Sequence, residues 1–123
     1  MITIAVTQGL FYILTGLWPF VSLRSFVAVT GPKTDIWLVK TVGALIIVIG
    51  VALCAGAMEQ TSASTLWLGL LSALALATVD IYYSSRGVIR KIYLLDAVVE
   101  AVFVGAWIWS GIVFYGMDGA WLC

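Results

Sequence analysis

The sequence predicts an all-α integral membrane protein, a bundle of four transmembrane helices. Of its 123 residues, 63% are hydrophobic and only 10% are charged, whereas soluble domains carry roughly 25% charged residues. The apolar residues fall into four segments, each of a length that crosses a bilayer at about 20 residues per helix. Because short loops take up the rest of the chain, we expect a single transmembrane domain, residues 1–123, with no extramembrane domain.

The first predicted span covers residues 3–23. No basic residue precedes its apolar run, so it lacks the charged start of a signal peptide and we expect it to be retained. Pro19 lies near its far end and either kinks the helix or marks its last turns, because proline cannot donate a backbone hydrogen bond. Span 1 carries a polar stripe, for which we expect hydrogen bonds to other helices, although the stripe could also line an interior site. It consists of Gln8, Tyr12, Thr15 and Ser22.

The next three spans are separated by short loops. They cover residues 36–58, 65–84 and 92–115. Thr34 or Asp35 is placed to cap the start of the second span, because either side chain accepts a backbone hydrogen bond. Gly87 suits the end of the third span, where a glycine readily adopts the left-handed conformation.

The basic residues predict the orientation of the chain. All six lie in or beside the first and third loops; they are Arg24, Lys33, Lys40, Arg86, Arg90 and Lys91. Since short basic loops stay on the cytoplasmic side, we expect both termini outside and the basic loops in the cytoplasm. A bacterial inner membrane with periplasmic termini fits this pattern.

Several kinds of site are not expected. The basic residues do not form a nucleic-acid patch. The chain has no histidine and two cysteines, which supply no set of metal or haem ligands. We therefore expect no cofactor, no metal and no nucleic-acid partner.

The two halves of the chain show a possible repeat. Residues 36–45 align without gaps on residues 92–101, which matches Lys40 with Asp96. One interpretation is chance similarity between apolar spans. The other is a duplicated helical hairpin with its axis along the membrane normal, as in parallel transporter repeats. In that arrangement the two side chains face a common centre and pair.

Three carboxylates are predicted inside the spans or at their edge: Asp80, Asp96 and Glu100. Asp96 and Glu100 are four residues apart and share a helix face that continues through Trp107. On a helix, Asp80 and Asp96 should lie about 6 Å, and Glu100 about 12 Å, below the cytoplasmic surface. Asp80 ends a small-residue stripe that permits close helix packing; the stripe is Gly69, Ala73 and Ala77.

Helix dipoles suggest partners for these charges. Asp96 is favoured at the start of its helix, whereas Asp80 at a helix end and Lys40 at a helix start are disfavoured and need partners. We expect Lys40 to pair with Asp96 or Asp80, leaving Arg24 or Arg86 to reach the other carboxylate at the membrane edge.

Glu100 has no evident cation at its depth, and an unpaired charge within a membrane is costly. We therefore expect Glu100 to be neutral and hydrogen-bonded, or to exchange protons. The intramembrane polar cluster, Lys40, Asp80, Asp96 and Glu100, has two interpretations. It is either a proton or ion site, or a satisfied network that fixes helix register.

Three functions follow from these features. The broadest is an accessory or self-associating subunit that packs through its small-residue faces, as a homo-oligomer or within a larger membrane complex. The second is a minimal proton- or ion-coupled transporter or channel that uses Asp80, Asp96 and Glu100. The third is a membrane enzyme acting on a lipid, with carboxyl groups as general acid and base. No motif of a known channel filter or transporter is present.

Overall fold

The structure, a computed structural model, describes residues 2–59 and 63–115. Within these ranges every regular element is a helix, with the bounds α1 Ile2–Val21, α2 Leu23–Thr30, α3 Ile36–Met58, α4 Ala63–Ser85 and α5 Tyr93–Tyr115. Four of them, all except α2, are long and apolar enough to cross a membrane. The predicted all-α four-helix class is confirmed. Pro19 lies inside α1, in its last turn.

Helix α2 corrects the prediction that the segment after the first span is a loop. Ser22 caps this helix, its Oγ accepting a hydrogen bond from the backbone N–H of Ser25 at 3.4 Å. The apolar positions follow the spacing of an amphipathic helix, and they lie on its more buried face. That face consists of Leu23, Phe26, Val27 and Thr30.

Gly87 ends α4, as the sequence predicts. Its φ is +74°, in the left-handed region. The backbone N–H groups of Gly87 and Val88 donate to the carbonyls of Ser84 and Tyr83, at 3.2 and 2.9 Å, which is the hydrogen-bond pattern of a Schellman cap. At the start of α3, Asp35 occupies the N-cap position, but its side chain makes no capping hydrogen bond.

Helices α1 and α3 pack through glycines spaced seven residues apart. A Cβ added to Gly16 would lie 2.5 Å from the carbonyl oxygen of Gly43, and one added to Gly50 would lie 2.5 Å from that of Gly9. The two backbones are therefore in direct contact, as small residues permit in membranes. We call α1 and α3 the first pair.

Helices α4 and α5 form the second pair. The predicted small-residue stripe of α4 faces inward, with Gly69, Ala73 and Ala77 buried. The indole of Trp107 lies against Gly69, where an added Cβ would overlap it. Packing within each pair is more extensive than packing between the pairs. The small residues of α4 are thus used inside the chain.

The outward faces of the long helices are apolar. Large hydrophobic side chains are exposed on all four; examples are Leu14, Leu45, Leu71 and Val102. A soluble protein would bury such a surface, whereas lipid tails accept it. The exposure pattern agrees with a membrane bundle.

Candidate functional site

A cavity of about 600 Å³ lies between the two pairs, at the end of the bundle that carries the two basic loops. Helix α2 and the loop after it form part of its wall, so the element that sequence reasoning missed contributes directly to the site. Aromatic side chains line the cavity together with aliphatic residues from α3. The aromatic ones are Phe11, Tyr12, Trp18, Phe26 and Tyr93.

The three predicted carboxylates meet at this cavity, and we call Asp80, Asp96 and Glu100 the carboxyl cluster. Asp80 is 5% exposed and Glu100 is 1% exposed, while Asp96 is half-buried. The carboxyl groups of Asp80 and Asp96 lie within hydrogen-bonding reach of each other, and Glu100 is close enough to interact with both. Spacing along α5 predicted the shared face of Asp96 and Glu100, and packing of α4 adds Asp80.

The cluster is not satisfied by its neighbours. Asp80 Oδ2 is buried, and within residues 2–59 and 63–115 no N–H group or alcohol hydroxyl donates to it. Two carboxylates at hydrogen-bonding distance cannot both carry a full charge without strong repulsion, so they share a proton or hold a cation. The arrangement is therefore suited to binding a positive species.

A chain of hydrogen bonds runs from Glu100 into the part of the bundle interior that lies farther from the basic loops. The Tyr12 hydroxyl donates to Glu100 Oε2 at 2.7 Å and accepts from Gln8 Nε2 at 3.0 Å. The same amide nitrogen donates to the Gly69 carbonyl at 3.0 Å, and Trp107 Nε1 donates to Gln8 Oε1. The four side chains involved are fully buried. Gln8 and Tyr12 of the polar stripe thus join α1 to both helices of the second pair, as expected. Thr15 does not, because its hydroxyl donates to backbone carbonyls of its own helix.

Lys40 does not join the cluster. It is exposed on α3 and is not part of the cavity wall, so the predicted pairing with Asp96 or Asp80 is not formed. The physical reason is its position on α3: Val39, Val42, Gly43 and Ile46 line the cavity, and Lys40 lies on a different face of the helix.

The two arginines predicted at the membrane edge also lie elsewhere. Arg24 is exposed on α2, and the guanidinium of Arg86 lies over the ring of Tyr82, 4.9 Å from its centroid. Across the described part of the chain, no lysine or arginine forms an ion pair with the carboxyl cluster.

Sequence reasoning did not single out Lys33, which lines the mouth of the cavity. Its Nζ donates to the carbonyl oxygens of Thr30 and Gly31 at 3.1 and 3.2 Å. The same ammonium lies 5.3 Å from the ring centroid of Tyr93, a cation–π distance. Its charge is engaged at the rim and not with the carboxyl cluster.

Among the described residues, no group of three or more histidine, cysteine or acidic side chains is arranged to hold a metal ion. Comparison of the chain with protein-family models, with curated proteins and with solved structures finds no match. A functional conclusion therefore depends on the chemistry of the site itself.

Proposed function

We propose that this chain is a proton-coupled membrane carrier for small molecules, with the carboxyl cluster as its site. One observation carries the proposal: three carboxyl groups meet on the wall of a cavity of about 600 Å³, and within the described residues none of them has a basic partner. Ionisable groups at membrane depth mark ion and proton pathways. The volume lies in the range of ligand sites, roughly 300–1,000 Å³.

The carboxyl cluster fits this role better than a purely structural one. A network kept for helix register should satisfy its own polar atoms, whereas Asp80 Oδ2 is buried without a donor in the described ranges. An accessory role that uses the small-residue faces is less well supported, because Gly69, Ala73 and Ala77 are buried within the chain. Interaction with a partner would depend on the apolar outer faces instead.

The position of the cavity supports access from one end at a time. It extends from the basic loops to Glu100, and beyond Glu100 the bundle is filled by Tyr12, Gln8 and Trp107. A carrier needs a site that opens alternately to the two sides by movement of helical units. The two tightly packed pairs are suitable units, and Glu100 lies where they meet.

We also propose that the basic loops face the cytoplasm of a bacterial cell, with the termini in the periplasm, because short basic loops remain inside. Self-association is proposed as well: the outer faces of all four long helices expose large apolar side chains that suit contact with a second copy or with lipid.

The proposal is tested by proton flux into liposomes. The purified chain is reconstituted with an internal pH-sensitive dye, and a potassium gradient with valinomycin imposes an inside-negative potential. No substrate is present, so the assay measures the uncoupled proton leak through the unloaded carboxyl cluster. We expect this leak to acidify the interior of liposomes with the parent chain faster than that of protein-free liposomes, and Glu100→Gln to abolish the difference. Glu59→Gln is the matched control, since Glu59 is exposed at the end of α3. Equal rates for the parent and Glu100→Gln would refute the proposal.

A further inference from the structure

We propose that the ligand of the cavity is an amphipathic organic cation, a molecule with one amine or onium group on an apolar, partly aromatic body. This inference rests on the carrier proposal for the identity of the site and adds the chemical class of its substrate. Three features of the cavity carry it: its charge, its walls and its available acceptor.

The charge at the end of the cavity farthest from the basic loops favours a cation. Asp80, Asp96 and Glu100 converge there, and Lys33 is held at the rim by backbone carbonyls. Asp80 is only 5% exposed and lines the cavity, and in the described part of the chain no N–H group or alcohol hydroxyl donates to its Oδ2. A ligand N–H or onium group would give this oxygen the positive partner that the protein does not supply. An anionic ligand would instead meet like charges.

The walls favour an apolar and aromatic body. Phe11, Trp18, Phe26 and Tyr93 line the cavity with aliphatic side chains of α3. Aromatic faces attract cations within about 6 Å of the ring centroid, and the Lys33 ammonium already occupies such a position over Tyr93, at 5.3 Å. The cavity walls therefore stabilise a diffuse positive charge after the ligand has lost its hydration shell. A small hydrated metal ion would gain little from these walls.

Binding of a cation should release protons from the carboxyl cluster. Glu100 is faced by Tyr12 from α1, by Asp80 from α4 and by Asp96 from its own helix. Residues of α3 on the cavity wall are apolar or glycine, and Lys33 is the basic group on the lining. Because the paired carboxylates hold a proton when no cation is present, an entering cation replaces that proton. This exchange is the coupling that a carrier requires.

The test compares two ions of the same shape and opposite charge. Tetraphenylphosphonium and tetraphenylborate are titrated separately into the purified chain in a neutral detergent, and heat is recorded in buffers of different ionisation enthalpy to count released protons. We expect saturable binding of tetraphenylphosphonium with proton release, and no saturable binding of tetraphenylborate. Detergent micelles without protein give the baseline for partitioning.

Variants locate the binding in the cavity. Asp80→Asn and Glu100→Gln should weaken tetraphenylphosphonium binding by about tenfold or more, the effect of losing roughly 1.4 kcal/mol of interaction. Val42→Phe retains all three carboxyl groups and places a larger side chain on the cavity wall, so it should also reduce binding, even if a carboxyl variant folds poorly. Glu59→Gln should bind like the parent.

The outcomes separate this inference from the carrier proposal. If both ions bind equally, or if the variants bind like the parent, the phosphonium ion is only partitioning and the inference is refuted. If neither ion binds but proton flux persists in liposomes, the substrate class is wrong and the carrier proposal stands. If the phosphonium ion binds without releasing protons and flux is absent, the cation site is supported and proton coupling is refuted.

Discussion

Replacing Gln8 with leucine should destabilise the bundle more than any comparable change on the same helix. The Gln8 amide is fully buried and contacts three helices at once. Its Nε2 donates to the Tyr12 hydroxyl and to the Gly69 carbonyl, both at 3.0 Å, and its Oε1 accepts from Trp107. Leucine has a similar size but makes none of these bonds.

The expected loss of unfolding free energy is about 2–4 kcal/mol. In membrane proteins a side-chain hydrogen bond contributes about 0.6 kcal/mol on average and up to about 1.7, and Gln8→Leu removes two such donations. It also leaves the Trp107 N–H buried without an acceptor, which costs about 1–3 kcal/mol. In the unfolded chain the side chain is exposed to lipid, where leucine is more stable than glutamine. This stabilisation of the unfolded state adds to the loss of unfolding free energy.

A double-mutant cycle with Trp107→Phe isolates the bond between the two side chains. Each single change leaves one buried partner unsatisfied, whereas the double change removes both, so the double variant should be more stable than additivity predicts by about 1–2 kcal/mol. Unfolding in mixed micelles by increasing SDS, followed by far-UV circular dichroism, measures all four proteins. Thr7→Leu, exposed on α1, should shift stability by no more than about 0.5 kcal/mol.

Additivity within about 0.5 kcal/mol would show that the two side chains are not coupled. The assignment of Gln8 as the link between the pairs would then be wrong. A Gln8→Leu variant as stable as Thr7→Leu would lead to the same conclusion.

Three further changes have definite expected outcomes in the same unfolding assay. Gly16→Ala places a Cβ 2.5 Å from a carbonyl oxygen of α3 and should lower the unfolding free energy by about 1–3 kcal/mol. Its control is Gly105→Ala, whose Cβ has no heavy atom within 4 Å and which should be neutral or stabilising by up to about 1 kcal/mol. Similar losses for both variants would argue against direct backbone contact in the first pair. Gly87→Ala should cost about 1–2 kcal/mol because of its φ of +74°, and an unchanged midpoint would mean that the cap does not limit stability. Asp80→Asn should be as stable as the parent or more so, since its amide can donate to the neighbouring carboxyl, yet it should lose proton flux. A variant that loses both stability and flux would indicate a structural role for Asp80.

The four long helices are predictable because lipid exposure requires long apolar segments. The short helix α2 is not, since its eight residues follow a span that is already long enough to cross the bilayer. The amphipathic spacing of Leu23, Phe26, Val27 and Thr30 covers only about two turns, which is too short to distinguish a helix from a loop. The seven-residue spacing of glycines in α1 and α3 is a usable sequence signal for their close packing, like the small-residue stripe on α4.

The site was predictable where helix geometry alone decides position. Asp96 and Glu100 share a face because they are four residues apart, and the structure places both on the cavity wall. The predicted position of Lys40 at the centre is wrong, because α3 is apolar around most of its circumference and its periodicity does not indicate which face turns inward. Lys33 required the tertiary structure, since only the fold of the loop after α2 brings it to the mouth.

Glu100 lies between the cavity and the hydrogen-bonded side chains that fill the rest of the interior. Proton exchange at Glu100 can therefore affect the packing of the two pairs. Toward the loops it faces Asp80 and Asp96, and toward the other end it accepts the hydrogen bond of Tyr12. A cation or a proton held by Glu100 changes the acceptor that Tyr12 can use, and Tyr12 is bonded in turn to Gln8, which holds α1 against α4 and α5. Carboxylates at the membrane edge alone could exchange protons with solvent without affecting helix packing. If the cavity binds a cation as proposed, the depth of Glu100 connects that binding to the contact that holds the pairs together.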